Sequence, residues 1–415
     1  MARRVVVTGL GVVAAPGVGK ERFWAGITSG RSFVRPLTRF DASRMKVRIA
    51  AEIEDEQLSP YLDGAPLTLE NRIFAYTRIA ADLAIEDSEL RLDELRPDRC
   101  GVVLGTSTGP TPATLASFYE TLLLGGGQGG NGKGPLSWMS GFPAALVRYL
   151  EVKHGVHGFS TVVSTGCAAG NDAIGIAMEA VSWGLADLVL AVGAEAPIER
   201  HTVQAFDNIR ALSHYNDDPE HASRPFDRER DGFVLGEGAV VLVLEERGHA
   251  LLRGAKSYGE IKGYATTTDA YHVTAPCEDL AKASLAVRRA LRQAEVEPED
   301  VDYISAHATS TPLGDTVETN LVKSVFGPRA YGIPMSSLKS IMGHSSGAAG
   351  ALQAAANLLI LEHQMIIPTV NLSEPDPDCD LDYVPNTARR ADVRCILQQT
   401  FGFSGKNSIL VFAKD

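Results

Sequence analysis

Phe159-Ser160-Thr161-Val162-Val163-Ser164-Thr165-Gly166-Cys167-Ala168-Ala169-Gly170 is the stretch whose reading decides the fold. Phe159 to Val163 is β-rich and reads as a short strand. Beyond the cysteine, Ala168 to Trp183 is small and helix-tolerant, with Ile174, Ala177, Met178 and Val181 recurring at helical spacing. A strand that turns tightly into a helix places Cys167 close to free backbone N–H groups and the positive end of the helix dipole. Both favour a thiolate, the nucleophilic form. A buried structural cysteine satisfies the same pattern, because free cysteine packs as a small hydrophobe. The stretch alone leaves both readings open.

The same strand-to-helix alternation runs through the chain. Val5–Thr8, Gly101–Leu104, Ser160–Val163, Leu188–Val192, Val240–Leu244, Tyr303–Ser305 and Ile409–Phe412 are short, aliphatic or β-branched runs. Between them lie the amphipathic stretches Arg72–Leu83, Pro143–Lys153, Ala281–Ala294, Thr316–Phe326 and Gly347–Glu362. This is an α/β pattern, with sheets covered by helices on both sides. A boundary is expected near Arg253-Gly254-Ala255, dividing the chain into residues 1–255 and 256–415. No internal repeat is visible by identity. Gly-rich and polar loops are expected at Gly125–Gly134 and Asp217–Gly232. Around the second, Ser223 to Phe233 sets many charges among aromatics, which fits either a buried ion-pair network or a solvated loop.

A chain of 415 residues, 45% hydrophobic and 22% charged, can bury two core-forming halves. Its net charge of −12 argues against nucleic acid as the main partner, while leaving room for a small basic patch that docks an acidic protein. The cysteines Cys100, Cys167, Cys277, Cys379 and Cys395 are odd in number and widely spaced, as in reduced cytoplasmic proteins, and no pair is spaced as a zinc ligand set. Arg3-Arg4 before Val5–Ala15 resembles a signal peptide, but Thr8, Gly9 and Gly11 interrupt the apolar run and its valines read as a first strand. No run is long enough to span a membrane. A cytoplasmic protein is expected.

Three motifs fail on their context. Gly9-Leu10-Gly11-Val12-Val13-Ala14 fits the loose dinucleotide fingerprint but lacks the acidic residue a ribose would need. Gly17-Val18-Gly19-Lys20-Glu21 lacks the first glycine and the Ser or Thr of a phosphate loop. Gly343-His344-Ser345-Ser346-Gly347 matches a nucleophile elbow, but Asp376 follows the last histidine, His363, so the order fails; Ser336-Ser337-Leu338-Lys339 lacks its companion motifs.

What survives is a constellation. Ser305-Ala306-His307-Ala308-Thr309-Ser310-Thr311-Pro312-Leu313-Gly314-Asp315 follows the strand-like Val301–Ile304. Met335-Ser336-Ser337-Leu338-Lys339-Ser340-Ile341-Met342-Gly343-His344 follows another short apolar approach. One such histidine alone would more often be structural. A strand-end cysteine, two strand-end histidines and a lysine, all in Gly/Ser/Thr-rich turns, are hard to explain by packing, and such turns are where rigid scaffolds place chemistry.

With these residues the sequence resembles the β-ketoacyl-ACP synthases, condensing enzymes of fatty-acid and polyketide assembly with the thiolase fold. The resemblance runs nearly end to end, from Arg4–Gly11 through Arg224–Gly238, Asp269-Ala270-Tyr271-His272 and both histidine motifs to Asn371-Leu372, Cys379–Pro385 and Phe401-Gly402-Phe403. It implies an α/β thiolase fold of two similar halves in a layered α-β-α-β-α sandwich. It also implies decarboxylative Claisen condensation on carrier-protein thioesters. Cys167 would accept the acyl chain, its N–H and that of Phe403 forming the oxyanion hole, with Phe403 also the gate. Neutral imidazoles of His307 and His344 would hold the enolate of malonyl-ACP after loss of CO2. Lys339 would orient the histidine turns, through an ion pair with Glu318, and Asp315 would brace the His307 loop. Thr309 and Thr311 correspond to positions that bind the phosphopantetheine arm. No bound cofactor or metal is implied, since the prosthetic group rides on the acyl carrier protein. Arg210 and Arg72 match positions near the tunnel mouth, where the carrier would dock.

The chain also departs from the family pattern. Ala308, Ser310 and Ser404 stand where glycines are usual, and Gln353 where elongating fatty-acid enzymes often have glutamate. The cysteine is preceded by Gly166, as in the catalytic α subunits of type II polyketide synthases. Thr108 falls where a bulky aliphatic often shapes the acyl pocket of fatty-acid enzymes. Together these favour a polyketide ketosynthase over fatty-acid elongation, acting as a homodimer or paired with a chain-length-factor homologue. The rival classes are a degradative thiolase, for which Cys395 lacks the Gly-rich setting, and a non-catalytic scaffold subunit, against which the intact nucleophile argues.

Overall fold

The computed structural model describes residues 3–62, 64, 67, 68, 72–91, 95–111 and 141–415. The loop expected at Gly125–Gly134 lies outside them. The strands that carry the architecture are β1 (Val5–Ala14), β2 (Cys100–Gly105), β3 (Ser160–Val163), β4 (Leu188–Glu195) and β5 (Gly238–Glu246). They are followed by β6 (Gly259–Thr268), β7 (Tyr303–Ser305), β8 (Met335–Ser336), β9 (Cys395–Gly402) and β10 (Lys406–Ala413). Cys395–Gly402, Gly259–Thr268 and Met335–Ser336 are strands that the apolar runs did not reveal. Polar residues such as Gln398, Gln399 and Thr266 interrupt the pattern in the first two, and the third is very short.

The strands form one sheet path in the order β8-β7-β9-β10-β6-β1-β5-β4-β2-β3. Counted from the β1–β6 junction, both halves repeat one topology. β2 is parallel to β3 and β4, while β4–β5 and β5–β1 are antiparallel. Likewise β7 is parallel to β8 and β9, while β9–β10 and β10–β6 are antiparallel. The junction itself is slight, Val6 opposite Glu260 and Val7 opposite Gly259. A duplication invisible in residue identity is therefore plain in strand order.

Seven helices matter here: α1 (Arg72–Asp87), α2 (Ala144–His154), α3 (Ala169–Ser182), α4 (Arg200–Asn208), α5 (Ala281–Ala294), α6 (Pro312–Phe326) and α7 (Ala349–His363). Strand residues alternate between faces. Val241 and Val243 join a core with Ile73, Tyr76 and Ile79 of α1, whereas Leu242 and Leu244 join a central core with Ile174 of α3 and Leu352 of α7. In the second half Ile409 and Val411 pack with Val287 of α5 and Leu321 of α6, while Leu410 and Phe412 face the central core. Three helix layers thus alternate with the two halves of the sheet path, the α-β-α-β-α arrangement expected. α7 is buried from Ala349 to Leu361 and apolar nearly all round, as a helix between two sheets must be. Each fully buried Leu or Ile there contributes about 1.5–3 kcal/mol.

The two central helices touch at their starts. A Cβ on Gly170 would lie 2.7 Å from the Gly347 carbonyl oxygen, and one on Gly350 would lie 2.7 Å from the Asn171 nitrogen. This crossing brings the turn that carries Cys167 to the turn that carries His344.

The charged loop before β5 is a buried network. Arg230 sits 2.6 Å from Asp376 and 3.6 Å from Asp315, and donates to the carbonyls of Thr311 and Pro312 at 3.2 and 2.7 Å. It ties that loop to the start of α6, just beyond His307. Removing one partner of a buried pair strands the other, at about 3–5 kcal/mol. Arg230→Met should therefore lower unfolding stability by about that much in urea titrations. A loss below about 1 kcal/mol, as for an exposed pair, would show that the network does not brace the loop.

Candidate active site

Cys167 lies in a single 3-10 turn, Gly166–Ala168, that joins β3 to α3. Gly166 adopts φ +62°, a left-handed conformation that a side chain would disfavour. The expected strand-turn-helix is present, but the thiol is not acidic. Burial pushes it up to about 11, against the opposing effects of the Lys339 ammonium and of hydrogen bonds from the N–H groups of Phe403 and Cys167 itself. Glu195 pushes it further up. Desolvation of the charged form outweighs the helix start, so Cys167 rests as a thiol.

The two histidines meet edge to face, with ring centroids 5.5 Å apart at 88°. Phe401 packs against His307 and Phe233 against His344, in the same edge-on manner. Burial holds both imidazoles well below their usual range, and Lys339 pushes in the same direction, so both are neutral at pH 7. His344 is fixed through its backbone, its N–H donating to Val234 at 2.7 Å and its carbonyl accepting from Gly236 at 3.0 Å. His307 is gripped at both ends: its N–H donates to Glu318 at 2.8 Å, and its carbonyl accepts from Lys339 Nζ at 2.6 Å.

That grip replaces the expected Lys339–Glu318 ion pair. Lys339 Nζ goes to the His307 carbonyl and to Gln353 Oε1 at 3.2 Å, while Glu318 accepts the N–H groups of His307 and Ala308. A carboxylate and an ammonium bind opposite poles of one peptide segment instead of each other. Burial lowers Lys339 to about 8 and raises Glu318 to about 7, with each charge partly sustaining the other. Gln353 fits the space where glutamate is common: it accepts from Lys339 and donates to the Ala306 carbonyl at 2.9 Å, which a carboxylate could not do. Asp315 accepts from the Phe226 N–H at 2.9 Å and faces Arg230, and burial lifts it to about 6.

Where serines stand for glycines, the backbone keeps a glycine-like shape. Ser310 has φ +69°, and its strain is offset by its hydroxyl, which accepts from the Arg224 N–H at 3.0 Å. Ser404 has φ +64°, and its N–H donates to the Val273 carbonyl at 2.6 Å, tying the Phe403 loop to the loop after β6.

A cavity of about 380 Å³ is lined by Cys167, His307, His344, Phe403, Thr309 and Thr311. The Thr309 and Thr311 hydroxyls lie 3.1 Å apart. Arg210, exposed, is also among its lining residues. Arg72 is not at a mouth: it is buried, pairs with Asp55 at 2.5 Å and donates to the Tyr76 hydroxyl. Its position at the first turn of α1 could not reveal a partner on another segment. Thr108 does not line this cavity; its hydroxyl donates to Glu195 at 3.0 Å. Sequence reading missed Glu195, Phe233 and Phe206, the last packed against both Phe233 and Phe403. The only signal for Glu195 was an acidic residue ending an apolar strand.

A buried thiol and two neutral imidazoles thus line one cavity, a set that can carry thiol-dependent acyl transfer. The chain matches the beta-ketoacyl synthase N-terminal domain over residues 2–250 and the beta-ketoacyl synthase C-terminal domain over residues 258–373. It is 41% identical to the 3-oxoacyl-[acyl-carrier-protein] synthase 2 of Synechocystis sp., covering 99% of this chain and 98% of that one. It is also 41% identical to the tetracenomycin polyketide synthase ketoacyl synthase alpha subunit of Streptomyces glaucescens, covering 99% and 97%. Among solved structures, the ishigamide ketosynthase/chain length factor superposes with a TM-score of 0.91 at 36% identity over the whole of both chains. The protein belongs to the β-ketoacyl synthase family and has the thiolase fold.

If burial sets the thiol, alkylation of Cys167 by iodoacetamide should be slow at pH 7 and rise towards a midpoint near 11. The thiolate form gains as pH rises; Lys339, lowered to about 8, has lost its charge before that midpoint, so Lys339→Met should slow alkylation below pH 8 and leave the midpoint itself near native. A rate already saturated at pH 8 would refute the dominance of burial.

Proposed function

We propose that the protein is a β-ketoacyl-ACP synthase, an acyltransferase that forms a carbon–carbon bond, acting as the catalytic subunit of a type II polyketide synthase. The observation that carries this reading is the convergence of Cys167, His307 and His344 on one cavity with both imidazoles held neutral. In the first half-reaction an acyl chain enters on the phosphopantetheine arm, past Thr309 and Thr311. The Cys167 proton passes to a neutral imidazole as sulfur attacks the thioester carbonyl. The resulting oxyanion takes hydrogen bonds from the N–H groups of Phe403 and Cys167, which already point at the sulfur. The carrier thiol leaves with the proton.

In the second half-reaction malonyl-ACP loses CO2, leaving an enolate whose oxygen accepts from His307 and His344. Neutral donors suit this step because the negative charge develops only then, and a site kept dry strengthens each bond. The enolate carbon attacks the acyl carbonyl on Cys167, the sulfur leaves as thiolate, and it takes up one proton from solvent by way of a neighbouring imidazole, replacing the proton lost with the carrier thiol. Lys339 and Glu318 act through the His307 backbone and touch no reacting atom; Asp315 braces the same loop from the other side.

A second reading, elongation in fatty-acid synthesis, is favoured by the equal identity to the Synechocystis enzyme. The polyketide reading draws on Gly166 and on the similarity in fold to a ketosynthase/chain length factor and to a type II acyl-carrier protein–ketosynthase complex, at a TM-score of 0.89. The partners proposed are an acyl carrier protein and either a second copy or a chain-length-factor homologue, in the cytoplasm, with residues 1–255 and 256–415 as the two halves of the fold.

Intact-protein mass spectrometry after incubation with acyl- and malonyl-carrier protein tests the mechanism. An acyl adduct should form on the native protein, vanish in Cys167→Ala, and be followed by an extended carrier product whose mass separates the two pathways. Absence of any adduct, alone or with a co-expressed homologue, would leave a scaffold role. Arg210 at the cavity rim supplies a positive charge for an acidic carrier. Arg210→Glu should raise KM for carrier-linked substrate several-fold, with kcat little changed. An unchanged KM would remove Arg210 from the docking surface.

A further inference from the structure

One buried carboxylate near the nucleophile takes no part in the steps above. Glu195 ends β4, is fully buried, and forms no salt bridge among the described residues. Its oxygens accept instead from neutral donors: the hydroxyls of Thr106 at 3.1 Å and Thr108 at 3.0 Å, and the N–H groups of Ser107, Thr108 and Gly109 at 2.5, 3.2 and 3.1 Å. A last donor, Gly347 N–H at 3.1 Å, belongs to the turn just after His344. Gly347 leaves the space the carboxylate needs, since a Cβ there would lie 2.5 Å from its oxygen. The Ser107 carbonyl in turn accepts from Ser164 Oγ at 2.8 Å, in the Cys167 approach. One side chain therefore joins the loop after β2, the end of β4 and the His344 turn, with the Cys167 strand attached through Ser107.

Burial raises Glu195 above the ordinary carboxylate range, and its hydrogen bonds from Ser107, Thr108 and Thr106 oppose that shift. Those donors are neutral, so in the alkaline range where Cys167 titrates the ionised carboxylate keeps its net charge, which reaches far in a buried setting. The groups that face Cys167 are Lys339, which favours its ionisation, Glu195, which opposes it, and the neutral rings of His307 and His344. We infer that Glu195 is a positioning residue with two tasks: it holds the His344 turn against the 106–109 loop, and its charge keeps Cys167 protonated until an acyl thioester is in place. The inference rests on the condensing reading of the site. A thiol kept latent this way resists alkylation and oxidation between turnovers, and loses its proton only to an imidazole as it attacks carbon.

The test is the pH profile of iodoacetamide alkylation at Cys167, followed by peptide mass spectrometry, with Cys277 in the same digest as internal reference. Glu195→Gln should move the Cys167 midpoint down by about half a pH unit or more, because a negative charge is lost. Glu195→Asp keeps the charge and should leave the midpoint near native, while weakening the loop contacts and lowering the melting temperature. A Gln profile that coincides with the native one, or an Asp shift as large as the Gln shift, overturns the inference. If Glu195→Gln does not fold, Thr108→Val serves in its place: it removes one donor from the carboxylate at an exposed position, and the midpoint should rise. An unchanged midpoint there overturns the inference equally. Alkylation requires no turnover, so failure to condense malonyl-carrier would refute the reaction and leave this measurement intact.

Discussion

The backbones of the two central helices approach so closely that a methyl group on Gly170 or Gly350 would collide with the other helix. Much else depends on that contact. α3 and α7 are equivalent elements of two halves with the same strand order, and each begins in a single 3-10 turn, Gly166–Ala168 and Ser346–Ala348. Because the helices cross at their starts, those turns are brought side by side. One carries the cysteine, and the other follows the second histidine. Duplication places two strand-to-helix turns face to face, and the small residues at the crossing decide how near they come. A Cβ at Gly347 would also strike Ser107 and Glu195, so the same constraint extends into the loop after β2.

The reacting groups of such a site are deeply buried, and burial governs their electrostatics. The same burial that keeps His307 and His344 neutral raises Cys167, Glu318 and Asp315 and lowers Lys339. Every shift moves away from charge. The compensation is made of backbone dipoles: Glu318 takes two N–H groups, Lys339 a carbonyl, and Asp315 the N–H of Phe226. This is why the lysine and glutamate do not form a simple pair. Each holds one pole of the His307 segment, and the histidine is oriented by charge without a charge touching its ring.

Cys167, His307, His344 and Lys339 were legible in the sequence because their turns interrupt apolar runs with Gly, Ser and Thr, a pattern written in consecutive residues. Helix Ala281–Ala294 was legible to its ends because its apolar stripe is strongly one-sided. What was hidden depends on residues far apart along the chain. Arg72 looks like any exposed basic residue until Asp55 and Tyr76 are folded against it. The acidity of Cys167 was misjudged because a strand-helix junction reports the local dipole but not the depth of burial. Gln398 lies in a strand whose polar pattern obscured it, yet it is satisfied in the central layer by Asn171 and Asn357.

Ser310 and Ser404 show how departures from a glycine pattern can preserve geometry. Each sits in a left-handed conformation that costs a residue with a side chain about 1 kcal/mol or more. Ser310 gains a hydrogen bond from the Arg224 backbone that glycine could not accept, and Arg224 begins the loop that Arg230 fastens to α6. The hydroxyl thus adds a link between the segment of Thr309 and Thr311 and the buried network. Ser404 shows no such side-chain bond among the described residues; its N–H donates to the Val273 carbonyl. Strain at Ser310 is locked in by a buried contact, whereas strain at Ser404 stands on an exposed loop beside Phe403.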